Sequence, residues 1–302
     1  MRTRWAGCGP ALVTPFTTRG DLDEAAVTRL ARRQVDGGVH FLVPCGTTGE
    51  SPTLSRAEKL RVVELVVAAV DGRVPVLAGA GGYDTRAAAA LAGDLASAGA
   101  DGVLSVTPYY NKPTPEGLYR HYETIAASTD LPIVVYNVPG RTGCNVTPST
   151  LLRLAAIPNI VGVKEASGNL GQMCEICHAL PDDFCVLSGD DAFTLALMAM
   201  GGTGVISVVA NEAPADMASL VDLAAAGDFA AARGVHERLL PLMQVNFIES
   251  NPIPVKAAMA ELGLLEAVYR LPMAPPAPAS RARIAAVLAE LGQTRGESAA
   301  VQ

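Results

Sequence analysis

A chain of 302 residues, 50% hydrophobic and 18% charged, is long enough to bury roughly 75% of its extended surface and too apolar to be a disordered polymer. Its net charge of −7 and pI near 5.2 provide no basic stripe for a phosphate backbone, so nucleic acid is not an expected partner and an anionic substrate needs locally placed cations. Six cysteines (Cys8, Cys45, Cys144, Cys174, Cys177 and Cys185) are scattered over this length and read as reduced, mostly buried thiols. The basic start, Met1 to Trp5, is interrupted by Gly7, Gly9 and Pro10, and no apolar run of ~20 residues follows. No membrane is expected as a partner, and the expected compartment is the cytoplasm.

In chain order, β-type runs are predicted at 11–14, 39–44, 74–78, 102–106, 132–136, 160–164, 185–188 and 205–208. Segments of helical period fill the gaps at 24–36, 56–70, 85–98, 115–128, 148–156, 170–180, 192–200 and 214–226. Strand and helix alternate, so the fold class is α/β. Eight such units within ~220 residues fit a (β/α)8 TIM barrel. An open doubly wound sheet needs a glycine-rich phosphate loop after its first strand. The nearest candidate, Gly79-Ala80-Gly81-Gly82, follows the third strand and lacks the last glycine of the dinucleotide fingerprint. Helical stretches at 229–245, 254–262 and 281–291 come after the barrel, separated by Glu249-Ser250-Asn251-Pro252 and a stiff proline-rich connector at 272–278. The expected division is a catalytic barrel over 1–227 and a C-terminal helical region packed on it over 228–302. Its last residues, 293–302, have no apolar face and are expected to be disordered.

The run Ile160-Val161-Gly162-Val163-Lys164-Glu165 places a lysine at the carboxyl end of a strand buried on both faces. Barrel active sites assemble at that end. Desolvation there disfavours the ammonium form and leaves an amine able to attack a carbonyl. The alternative is a structural lysine paired with a carboxylate such as Glu165. Gly46-Thr47-Thr48-Gly49-Glu50-Ser51 follows the second strand as a cradle of N–H groups and hydroxyls, or as a plain helix-entry turn. Thr107 to Pro113 carries Tyr109 and Tyr110 after the fourth strand, where an aromatic pair commonly packs at an interface. Tyr136 to Gly143 ends the fifth with a phenol for proton transfer and, in Arg141, a guanidinium suited to a carboxylate. Thr47, Tyr110, Tyr136 and Lys164 therefore all fall just past strand carboxyl ends. Cys174-Glu175-Ile176-Cys177-His178 matches a haem-attachment pattern, but it lies inside a predicted helix and is a decoy. His40, His121 and His236 have no metal-ligand spacing, and no metal is expected.

These stretches, with Ser188-Gly189-Asp190-Asp191, Gly204-Val205-Ile206-Ser207 and Asn251-Pro252-Ile253-Pro254-Val255-Lys256, resemble the dihydrodipicolinate synthase family in order and spacing from about Gly7 to Leu291. The resemblance implies a lyase of the pyruvate-dependent class I aldolase type. Such an enzyme condenses pyruvate with L-aspartate 4-semialdehyde on the route to diaminopimelate and lysine, with no cofactor beyond the imine of Lys164. By family roles, Tyr136 moves the proton, and Thr47 and Tyr110 complete a relay, Tyr110 from a neighbouring subunit. Thr48, the main chain at Ile206, and Gly189 hold substrate, and Arg141 binds the semialdehyde carboxylate. A homotetramer built as a dimer of dimers is implied. Sister aldolases share Lys164 and Tyr136 but generally depart at Thr48 or Arg141, and a non-catalytic keto-acid sensor would have lost the lysine, the tyrosine or the threonine. Aligned with lysine-inhibited members of the family, Tyr83 and Ala87 stand where an asparagine and a glutamate hold the inhibitor. Arg56, Lys59 and Arg86 add positive charge nearby, and Asp84 is the one acid able to compensate, so strong inhibition by lysine is not expected.

Overall fold

The computed structural model describes residues 5–293. The elements run β1 (Gly7–Pro10), α1 (Glu24–Asp36), α2 (Arg56–Val70), β2 (Leu77–Gly79), α3 (Thr85–Ser97), β3 (Gly102–Val106), α4 (Pro115–Ala126), β4 (Ile133–Asn137) and the short α5 (Pro139–Thr142). They continue with α6 (Pro148–Ala155), β5 (Ile160–Glu165), α7 (Leu170–Ala179), β6 (Cys185–Ser188), α8 (Thr194–Ala199), β7 (Gly204–Ser207) and α9 (Pro214–Ala225). Three C-terminal helices follow, α10 (Phe229–Val245), α11 (Ile253–Glu261) and α12 (Pro278–Glu290).

Seven parallel strands form one sheet in the order β1-β7-β6-β5-β4-β3-β2, and the segment at 39–44 closes it into a (β/α)8 barrel. His40 and Val43 donate to the carbonyls of Cys8 and Pro10, while Leu77 and Gly79 donate to those of Leu42 and Pro44. The predicted second strand thus occupies its place but pairs only through the isolated bridges Ala11↔Val43 and Leu42↔Val76. Pro10, Pro44 and Pro75 have no N–H to give, which breaks the ladder there. The first strand is Gly7–Pro10 and not the predicted 11–14. Its glycines are close-packing positions, since a Cβ at Gly7 or Gly9 would lie 2.3 Å from the His40 ring or 2.1 Å from the Phe41 ring.

Alternation along the strands sorts the core into two layers. Phe41, Val43, Leu77, Leu104, Val134, Leu187 and Ile206 fill the barrel interior, while Val103, Ile133, Val135, Val163 and Val186 face the surrounding helices. A third cluster joins α9, α10, α11 and α12 to Cys8 and Val13 of the barrel. The predicted helix at 281–291 starts earlier, with Pro278 in its first turn, where a missing N–H costs nothing. Of the C-terminal tail, only Gln293 lies within the described residues. No helix among the described residues is long and apolar enough to cross a membrane.

Candidate active site

Parallel register sets Tyr136 directly beside Lys164 across β4 and β5. Their side chains share the interior face, with Lys164 Nζ 4.3 Å from the centroid of the Tyr136 ring. Lys164 is buried, and that burial lowers it from its ordinary 10.5 to about 7; Asp191 opposes the shift and Arg141 adds to it. At neutral pH roughly half of this amine is therefore unprotonated. Glu165 is not its partner, because adjacent strand residues face opposite ways. The Glu165 carboxylate accepts instead from Asn137 Nδ2 at 2.9 Å and from the Ser167 N–H at 2.7 Å.

Burial raises the Tyr136 phenol, Arg141 pulls it back, and so does a hydrogen bond with Thr47. The phenol is thus protonated at neutral pH and linked to a hydroxyl. Thr47, Lys59, Tyr109, Tyr136 and Arg141 line a cavity of about 260 Å³ at the carboxyl ends of the strands. Gly189 packs against Lys164, where an added Cβ would lie 3.1 Å from Lys164 Cε. Ile206 is buried on β7 in the interior layer. Tyr110 is not brought in: it is 91% exposed, on a left-handed backbone at φ 72°. Tyr109 lines the cavity instead, stacked edge-on against Tyr83.

The loop carrying Thr47 and Thr48 is fixed from both ends. Cys45 (φ 59°) and Glu50 (φ 51°) both take the left-handed region, a conformation a non-glycine residue holds only when its surroundings impose it. Thr14 Oγ1 donates to the Gly49 carbonyl at 2.7 Å. Glu50 is buried and accepts from Lys256 Nζ at 2.5 Å and from the Arg270 N–H at 3.1 Å. Thr48 Oγ1 accepts from Asn251 Nδ2 at 3.0 Å, and Arg141 Nη2 donates to the Asn251 carbonyl at 3.3 Å.

Glu50, Asp191, Asn251 and Lys256 are the site residues that sequence reasoning left without a role. All four stand in the stretches that carry the resemblance, but no spacing ties residue 50 to 256 or 48 to 251. The glycine run at Gly79 to Gly82 is explained by close backbone approach: a Cβ at Gly79 or Gly81 would fall 2.1 Å from the Cys45 carbonyl oxygen or 2.4 Å from the Val106 nitrogen. Cys174 and Cys177 are free thiols on α7, and no cluster of metal-ligating side chains occurs among the described residues.

A family model described as the dihydrodipicolinate synthetase family matches residues 4–291. The 4-hydroxy-tetrahydrodipicolinate synthase of Koribacter versatilis (strain Ellin345) is 50% identical over 295 residues, 97% of this chain and 98% of its own. The crystal structure of dihydrodipicolinate synthase from Aquifex aeolicus superposes with a TM-score of 0.94 at 43% identity, covering 96% of this chain and 99% of that one. The enzyme from Cyanidioschyzon merolae, solved with lysine bound, gives 0.94 at 37% identity over 97% and 100%.

Proposed function

The chain belongs to the dihydrodipicolinate synthetase family, and from that premise we propose that it condenses pyruvate with L-aspartate 4-semialdehyde to 4-hydroxy-tetrahydrodipicolinate by Schiff-base chemistry on Lys164. The observation that carries this reading is a buried lysine titrating near 7 beside a protonated phenol. The neutral amine attacks the pyruvate carbonyl carbon, and the carbinolamine loses water to give a protonated imine. That cation withdraws electrons from the methyl group, which gives up a proton and becomes an enamine carbon. The enamine attacks the aldehyde carbon, and Tyr136 protonates the oxygen that becomes the hydroxyl. The semialdehyde amine then displaces Lys164 from the imine, closing the ring and freeing the enzyme.

Thr48, the main chain at Ile206, and Gly189 hold the substrates in this reading, and Arg141 takes the semialdehyde carboxylate. Thr47 passes protons onward from Tyr136. The exposure and left-handed backbone of Tyr110 fit a side chain that completes the relay in a neighbouring subunit, so the working form is a homo-oligomer, a tetramer as a dimer of dimers. In the same reading the described residues up to 227 act as the catalytic barrel and those from 228 to 293 as the region packed on it, in the cytoplasm.

Lysine is a poor inhibitor in the same reading. Ala87 is exposed and offers no carboxylate, and Asp84 is occupied as the cap of α3, accepting from the Arg86 N–H at 3.0 Å. Arg56 adds less positive charge than its type suggests, because it is paired with Asp94. Lys59 and Arg86 carry that part of the argument.

Borohydride reduction with pyruvate should add one pyruvate-derived mass per chain, on the peptide containing Lys164. A coupled assay should then favour aspartate semialdehyde over the aldehydes of sister aldolases. Label on another lysine, or preference for a sugar-acid aldehyde, would sink the assignment.

A further inference from the structure

Asn251 lies between α10 and α11, outside the barrel wall, and is 5% exposed. Its side chain and its main chain hold side chains from two different parts of the active site, the loop of Thr48 and the short helix α5. Nδ2 donates to Thr48 Oγ1 at 3.0 Å, and the main-chain carbonyl oxygen accepts from Arg141 Nη2 at 3.3 Å. The surrounding segment is fastened to the first of those parts again through Lys256 and Glu50. A C-terminal residue thus joins the loop after the second barrel segment to the loop after β4.

We propose that Asn251 is a positioning residue that sets both carboxylate sites at once, an inference resting on the reading that Thr48 holds pyruvate and Arg141 the semialdehyde. A hydroxyl has one hydrogen and two lone pairs. With one lone pair of Thr48 held by the Asn251 N–H, its hydrogen is kept off that direction and left free for the keto-acid carboxylate. Arg141 has five donors in a fixed fork. The Asn251 carbonyl takes one and fixes the plane in which the others meet a carboxylate.

Asn251 Oδ1 is buried with no hydrogen-bond partner among the described residues, and Nδ2 makes the bond to Thr48. Leucine has nearly the same shape but leaves the buried Thr48 hydroxyl without its donor, so Asn251→Leu alone lowers stability, whereas together with Thr48→Val both partners become apolar and the exchange is close to neutral for folding. Stability and substrate positioning therefore separate when the single and double variants are compared.

The experiment uses the full chain with Asn251→Leu, Thr48→Val and the double variant. It reads thermal midpoint, the pyruvate concentration giving half-maximal borohydride trapping at Lys164, and the KM for semialdehyde. In Asn251→Leu the half-trapping concentration should rise about tenfold, the size expected for one hydrogen bond, with a lowered thermal midpoint that the double variant regains. The semialdehyde KM should rise about threefold, because the freed side chain no longer pins the carbonyl that holds Arg141. In the Thr48→Val background, Asn251→Leu should add less than about twofold to the pyruvate effect. Additive effects on pyruvate trapping, or an unchanged semialdehyde KM, would overturn the proposal. Failure to trap pyruvate in the unmodified enzyme would overturn the functional reading as well, whereas normal trapping unaffected by Asn251→Leu sinks the positioning proposal alone.

Discussion

Two lysines are buried among the described residues, and burial lowers the affinity of both for a proton. They differ in what faces them. Lys256 has its ammonium 2.5 Å from Glu50 Oε1, 3.1 Å from the Thr14 carbonyl and 4.4 Å from the centre of the Phe16 ring. The carboxylate opposes the effect of desolvation and holds the charge. Lys164 has a phenol ring 4.3 Å away and no ion-pair partner among the described residues, with the Asp191 carboxylate acting only through space. Burial of one residue type thus yields a fixed cation in one place and a titrating amine in the other. The partner decides which, since an ammonium without a counterion is the form that desolvation disfavours.

The comparison is tested most severely by the same substitution at each lysine. Lys164→Met should abolish turnover and pyruvate trapping while raising stability. Depression from 10.5 to about 7 means the folded chain binds the proton less well than the unfolded chain, a penalty of roughly 4 kcal/mol at pH 7. That penalty is largest below pH 7 and fades between about 7 and 10.5, so the stability gain of the variant should shrink as pH rises through that window. Denaturant titrations of both proteins at pH 7 and pH 10 check this, and a variant less stable than the parent at pH 7 would break the comparison.

Lys256→Met should do the opposite. Removing one member of a buried ion pair leaves the other uncompensated, typically at about 3–5 kcal/mol. A second change, Glu50→Gln, should recover part of the loss. Equal destabilisation in the single and double variants would show that packing and not charge is at stake.

Arg141→Ala should cost about 2–5 kcal/mol toward the semialdehyde carboxylate, or roughly a thirtyfold or larger rise in KM, with trapping by pyruvate intact. Arg141 also helps to lower Lys164, so the pH midpoint of imine formation should move up in this variant. In the parent enzyme the initial rate of imine formation should fall about tenfold per pH unit below pH 7, following the neutral amine. A rate already falling at pH 9 would place the nucleophile in an ordinary, solvated lysine. The smallest effect expected is none: L-lysine at about 1 mM, an affinity near −4 kcal/mol, should not halve the initial rate.

The alternation of β runs and helical periods made the barrel legible, because hydrophobic period is a property of neighbouring residues. So did the apolar run ending on Lys164, which put a lysine at a strand's carboxyl end before any contact was known. Reading failed at Gly7 and Gly9, which look like breakers and form the first strand. Their glycines are demanded by His40 and Phe41, residues more than thirty positions away. It was incomplete at 39–44, where three prolines in three segments jointly interrupt the pairing.

What sequence alone determined, then, is which residues have a chemistry to offer and on which strand ends they stand. Tertiary structure decided which of them are paired. Register placed Tyr136 beside Lys164, and strand parity turned Glu165 away. Contacts spanning more than two hundred residues gave Lys256 its carboxylate and Thr48 its asparagine. A pKa depends on burial and on charges a few ångströms away in space, and residues that distant along the chain leave no periodic trace of having met.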